Sequence, residues 1–220
     1  MASIPYLEKG RFVSSVLKKL NVVATNAAGI LFYLALAFIQ LKASLHADLY
    51  ARIVLWLLLV QSGLVIGFFL VRRFSTASTL NPWHIFIAYV GFFSPLFIRI
   101  NTVNHSNFWF PGLTIQLIGT FLTLYGSLSL GRSWSILPAN RGIKTQGMYQ
   151  YVRHPIYASY QIFTLGVLIS TPSLYNLAIA SLFTVSQIIR LNIEEKILIS
   201  DPVYLQYISK VRWKIIPFVY

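Results

Sequence analysis

Apolar residues in this chain run in long blocks rather than recurring along one helical face. Six blocks stand out: Val22–Leu41, Ile53–Val71, Trp83–Ile98, Phe110–Leu130, Ile156–Ser170 and Leu174–Leu191. A block that is apolar on all sides and close to about 20 residues long predicts a helix crossing a hydrocarbon core, because a helix satisfies its own backbone there. The pattern therefore predicts an all-α polytopic membrane protein of about six spans. Pro95 is placed to kink the end of the third span. The fifth block is short, and the sixth follows directly after "STPS", so these two form a tight hairpin for which a deep or tilted placement is open. The opening stretch "MASIPYLEKGRFVSSVLKKL" has no uninterrupted apolar core and lacks the signal-peptide pattern. It reads as a basic amphipathic lead-in on the membrane surface. No linker, low-complexity tail or internal repeat divides the chain. Residues 1–220 form one unit, with a four-helix part over 1–130 and a polar-rich part over 131–220.

Composition agrees with this reading. Only 10% of the residues are charged, against about a quarter in soluble domains. The net charge of +13 would suggest nucleic acid in a soluble protein, but here the basic residues flank the spans. Membrane lipids are the expected partner, and nucleic acid is not. With six spans and the N-terminus inside, fifteen of the eighteen lysines and arginines fall on the cytoplasmic side, leaving Lys42, Arg52 and Arg99 outside. The positive-inside rule then puts both termini in the cytoplasm. Cysteine is absent, which excludes disulfides, thiolate metal sites and a cysteine nucleophile.

Candidate chemistry is unevenly distributed. One polar segment is the loop "GRSWSILPANRGIKTQGMYQYVRHPIYASY", and the other is "QIIRLNIEEKILISDPVYLQY" at the end of the sixth block. The predicted topology delivers both to one membrane face. In the loop, Gly142 and Gly147 allow turns, and Pro155 suits the first turn of the fifth helix. His154 then falls near a helix N-cap, where free N–H groups and the positive dipole end suit an anion. The alternative for Arg153 and His154, with Tyr149, Tyr151 and Tyr157, is a basic and aromatic interface belt. In the second segment Arg190 and Glu194 are four residues apart and share a helix face if the sixth helix continues. They either close the helix end as a salt bridge or serve a site, since ionisable groups at membrane depth are functional candidates. Glu194, Glu195 and Asp201 are three of only five acids. His46, His84, His105 and His154 are scattered, with no metal-ligand spacing, so no metal is expected. No Walker loop, dinucleotide fingerprint or nucleophile elbow occurs. Asn101, Asn104 and His105 read as solvated turn residues.

Taken together, "TQGMYQYVRHPIY", "RLNIEEKIL" and "YLQYISKVRWKIIPFVY" resemble the isoprenylcysteine carboxyl methyltransferase family and, more loosely, the phospholipid methyltransferases. The shared pattern is Gly147 and Tyr149; Arg153, His154, Pro155 and Tyr157; Arg190 four before Glu194 and Glu195; Tyr204 and Tyr207; and a late Pro217. It covers roughly the last 90 residues. The resemblance implies a membrane methyltransferase using S-adenosylmethionine. It implies cofactor contacts at Arg141, Gly142, Ile143, Lys144, Tyr149, His154, Pro155, Ile156, Tyr157 and Glu194. Arg190 would face a lipophilic, carboxylate-bearing acceptor, with Arg190 and Glu194 as the catalytic pair. Eukaryotic members carry a His where this chain has Arg141 and a Gln where it has Trp134. "PANRGIKTQG" is closer to the bacterial branch, which implies an inner-membrane location. Two alternatives remain: an NADPH-dependent reductase of the sterol type, suggested by the R-H and "WKIIPFVY", and a non-enzymatic scaffold or small transporter.

Overall fold

The computed structural model describes residues 4–73, 75, 77–100 and 106–219, with side chains from 23 onward apart from 77. Asn101, Asn104 and His105 lie outside the described residues. Among the described residues seven α-helices form: α1 (Ile4–Ser44), α2 (Leu49–Val71), α3 (Pro82–Phe93), α4 (Trp109–Leu130), α5 (Pro155–Ser170), α6 (Leu174–Leu198) and α7 (Pro202–Lys210). Two dipeptide strands, β1 (Ala77–Ser78) and β2 (Ala139–Asn140), pair antiparallel. The chain is all-α apart from this short ladder. Among the described residues four helices are long and apolar enough to cross a membrane, over Val23–Ser44, Leu49–Val71, Trp109–Ser133 and Leu174–Leu198, while Pro82–Phe97 and Pro155–Ser170 are shorter apolar helices. The protein is an integral multi-pass membrane protein.

Helix boundaries follow local chemistry. Asp48 caps α2 by accepting from the Ala51 N–H at 2.8 Å, and Asn81 caps α3 through the Trp83 N–H at 2.9 Å. Pro95 sits in a 3₁₀ turn, Ser94–Phe97, that ends the third segment as its position predicts. The lead-in is helical and continuous with the first span, so α1 has 41 residues. The sixth helix continues past Leu191 to Leu198, carrying Glu194 and Glu195 in helix.

The helices close into a ring whose order differs from the sequence: α1, α2, α4, α5, α6, α3. Neighbours around it pack along α1–α2, α2–α4, α4–α5, α5–α6 and α6–α3. Ring contacts between Phe32 and Phe93 and between Tyr33 and Phe92 join α3 back to α1. The α5–α6 connection is tight, as predicted, but α5 packs most extensively on α4. Small residues on α4 make that possible: a Cβ at Gly119 would lie 2.6 Å from the Phe163 backbone N, and one at Gly126 3.1 Å from Ile156. Buried polar groups pin the far end. Gln116 Nε2 donates to Tyr50 Oη at 3.2 Å and Ser170 Oγ at 3.0 Å, tying α2, α4 and α5. Asn176 accepts from the Arg99 N–H and donates to the Arg99 carbonyl, both at 3.0 Å, holding α6 to the segment after α3.

Gly119→Val is expected to force α4 and α5 apart and to destabilise the protein by about 1–3 kcal/mol. Gly67→Ala, where a Cβ meets nothing within 4 Å, is the control. Thermal unfolding in detergent compares the two, and equal midpoints would refute the role given to Gly119.

Candidate active site

The loop after α4 is held by one local bond and by bonds to α7 and its cap. Asn140 accepts the Gly142 N–H at 2.9 Å and donates to Asp201 at 2.8 Å, while Asp201 also caps α7 through the Val203 N–H. One acid thus ties the β2 end of the loop to the helix that follows α6. Gly142 and Gly147 take φ of +100° and +64°, a region where a Cβ is strained. The 3₁₀ turn Gly147–Gln150 then buries Tyr149, whose carbonyl accepts the Tyr207 hydroxyl. Burial raises the Tyr149, Tyr204 and Tyr207 hydroxyls well above their ordinary range, so they stay protonated donors.

His154 is the N-cap residue of α5 and Pro155 is N1, as the spacing predicts. The cap is unusual because the His154 side chain bonds no backbone N–H of the helix. Its backbone N–H instead donates to the Lys214 carbonyl at 2.8 Å, and that of Arg153 donates to Trp213 at 2.9 Å. The C-terminal tail is thereby laid against the start of α5. Among the described residues the first-turn N–H groups of Ile156 and Tyr157 have no partner, as at an uncapped helix start.

Glu195 is the hub of this corner. Arg153 Nε lies 3.0 Å, His154 Nε2 3.1 Å and Lys214 Nζ 3.6 Å from its carboxylate, and the Tyr204 hydroxyl donates to it at 3.1 Å. Its side chain is only 11% exposed. The Arg153 and His154 pair is thus neither a free belt nor a free site: one carboxylate fixes both.

Glu194 faces another way. Tyr157 donates its hydroxyl to Glu194 at 2.7 Å. Among the described residues no ion pair joins Arg190 to Glu194, so the salt bridge that would have closed the helix end is not formed. Arg190 is 8% exposed. It donates to the Ser135 carbonyl at 2.7 Å, and its guanidinium lies 5.5 Å from the Tyr157 ring. Among the described residues its Nε is buried without a hydrogen-bond partner.

These groups border one cavity of about 430 Å³ inside the helix ring, a volume in the range of small-molecule sites. Arg141, Gly142, Ile143, Lys144, Tyr149, His154, Ile156, Tyr157, Arg190 and Glu194 all line it. Of the residues implied by the resemblance, only Pro155 does not; it is fully buried and starts α5. The far end is largely apolar, with Val54, Leu58, Leu96 and Ile100 among its walls, though Gln40, Gln61 and Ser62 also line it. Arg141 is half-buried and drops to about 10, first through burial and then through the neighbouring charge of Arg72. It still carries its proton at neutral pH.

The sequence did not single out Ser135 or Lys214, nor give Glu195 its central role. Ser135 acts through its carbonyl, which leaves no residue-type signal. Glu195 had one usable signal: it is an acid in a basic segment, about 100° around the helix from Glu194. Trp134 stacks on Phe68 at 5.5 Å and 15° and belongs to the core between α2 and the loop as well as to the cavity wall.

Among solved structures, that of the eukaryotic intramembrane Ras methyltransferase ICMT (isoprenylcysteine carboxyl methyltransferase) is similar. The identity is 19%, the TM-score 0.49, and the match covers 94% of this chain and 86% of that chain. No curated protein matches the chain. The family resemblance read from the sequence is borne out over a defined segment: residues 105–201, which carry the loop, the Arg153–Tyr157 run and the Glu194–Glu195 pair, match the family model described as phospholipid methyltransferase.

Proposed function

We propose that this protein is an S-adenosylmethionine-dependent methyltransferase that acts on a lipophilic, carboxylate-bearing acceptor within the membrane. One observation carries this reading: a single cavity joins a polar end, built from the loop and the end of α6, to a largely apolar end between the other helices. Residues 131–220 supply most of the polar end and residues 1–130 most of the apolar end, which suits one domain over 1–220. Both termini lie in the cytoplasm, in a bacterial inner membrane.

The polar end fits the cofactor's chemistry. Among the described residues Glu194 has one hydrogen-bond partner, the Tyr157 hydroxyl, and keeps acceptor capacity for ribose hydroxyls or an ammonium. The unpartnered N–H groups at the start of α5, together with Arg141 and Lys144 in the wall, suit a carboxylate. The faces of Tyr149 and Tyr157 suit a sulfonium or an adenine. When bound, the cofactor supplies an electrophilic methyl group. The chain's task is then alignment and exclusion of water rather than proton transfer. Arg190 is held by the Ser135 carbonyl with its Nε unpartnered, which leaves it able to orient the acceptor carboxylate.

The test is binding to detergent-purified protein. S-adenosylmethionine and S-adenosylhomocysteine are expected to bind, and NADPH is not. Tight NADPH binding without the other two would replace this reading with the reductase. His154→Ala is expected to weaken cofactor binding through loss of the ring at the cavity wall. Arg190→Ala is expected to leave cofactor affinity within about twofold while lowering transfer by roughly 10-fold or more, the scale of a lost charge-assisted bond. Lost cofactor binding in Arg190→Ala would make this arginine structural.

A further inference from the structure

Four arginines converge where α2 and α4 end. Arg72 and Arg73 directly follow α2, Arg132 lies in the 3₁₀ turn Gly131–Ser133 after α4, and Arg141 follows β2. Their contacts interlock. The Arg73 N–H donates to the Arg132 carbonyl at 2.8 Å, and Arg132 Nε donates to the Val71 carbonyl at 2.9 Å. Arg141 donates to the Arg73 carbonyl, and Arg72 to the Asn26 side chain. The Arg73 guanidinium stands beside Gly142.

Every one of these partners is neutral. All ion pairs among the described residues fall on Glu195. Asp48 caps the opposite end of α2, Asp201 caps α7, and Glu194 and Glu195 belong to the cavity corner; the fifth acid, Glu8, lies outside the described side chains. The carbonyls at the end of α2 offer only about half a negative charge, against four guanidinium charges. Two of those groups are also incompletely bonded: among the described residues, Nε of Arg72 and Nε of Arg141 are buried with no partner. Arg73 and Arg132 are exposed. A surplus of fork-shaped donors with no carboxylate among the described residues around them is complementary to a tetrahedral oxyanion.

We propose that this cluster binds the phosphate of an anionic phospholipid headgroup in the leaflet at which α2 ends. Position argues for a lipid as the source. Arg72 follows a 23-residue apolar helix without a spacer, so the guanidiniums stand at headgroup level. Arg141 and Gly142 belong both to this cluster and to the wall of the cavity. A bound phosphate relieves the repulsion between Arg72 and Arg141 and holds the loop that forms the polar end. The lipid site stands without the methyltransferase reading.

The test titrates purified protein in neutral detergent with phosphatidylglycerol, phosphatidylcholine or inorganic phosphate. Thermal unfolding is followed, and retained lipid is identified by native mass spectrometry. Phosphatidylglycerol is expected to raise the unfolding midpoint and to be retained, with phosphatidylcholine and inorganic phosphate giving little of either. Arg73→Gln and Arg132→Gln are exposed changes, and each is expected to lower phosphatidylglycerol affinity about fivefold, with the double variant losing more. Equal retention of the two lipids, or unchanged retention in the double variant, overturns the site. Stabilisation by inorganic phosphate as strong as by phosphatidylglycerol overturns the headgroup as its occupant. None of these readouts involves S-adenosylmethionine, so failure of the methyltransferase reading would be seen separately.

Discussion

Glu195→Ala is expected to lower the thermal midpoint in detergent by roughly 6–20 °C. Removing one partner of a buried ion pair costs about 3–5 kcal/mol, and each kcal/mol shifts the midpoint of a chain this size by about 2–4 °C. The loss is large because one carboxylate serves four groups. Arg153, His154, Lys214 and Tyr204 all converge on it, and its surroundings admit little water to replace it. The effect also reaches the tail, because Arg153 and His154 carry the backbone bonds that hold Trp213 and Lys214. Glu195→Gln retains the shape and one acceptor and should fall between the two. A midpoint within a degree of wild type for Glu195→Ala would show that the hub contributes nothing to stability.

The second large effect is expected at the neighbouring acid. Glu194→Ala should weaken S-adenosylmethionine binding by roughly 10- to 100-fold, the cost of losing a charge-assisted bond in a secluded site. The fold should survive, because the only bond lost among the described residues is that from the Tyr157 hydroxyl. Isothermal titration on detergent-purified protein reads the first quantity and thermal unfolding the second. Tyr157→Phe separates the contributions, since it removes the same protein bond but keeps the carboxylate. If Glu194→Ala binds the cofactor as wild type does, the assignment of Glu194 fails. The contrast between adjacent glutamates is itself informative: one change should strike stability and the other ligand affinity.

The difference between Glu194 and Glu195 comes from helical geometry. Successive residues point about 100° apart, so one acid reaches the cavity and the other the start of α5. That they diverge was legible once the sixth helix was taken to continue. Which acid meets which cation was not. Arg190 at i−4 was the obvious local partner for Glu194, yet Arg190 turns to the Ser135 carbonyl, 55 positions away in sequence. A backbone acceptor leaves no mark in a sequence. The loop was better determined, because Gly142, Gly147 and Pro155 restrict φ locally and say where the chain turns.

Apolar run length by itself determined that this chain is helical and lives in a membrane, since an unpaired backbone cannot be tolerated there. Local spacing determined that a helix begins at Pro155 with His154 as its N-cap and that Arg190, Glu194 and Glu195 share one helix. Only the tertiary structure decided the order of the ring, in which α3 leaves its neighbour in sequence to pack on α6. Apolar helices carry little side-chain information about their partners, because lipid and protein are equally apolar. The choice falls to close approaches such as Gly119 on Phe163 and to scattered polar pairs such as Gln116 with Tyr50. That ring order encloses the cavity, and with it the candidate site becomes a place rather than a motif.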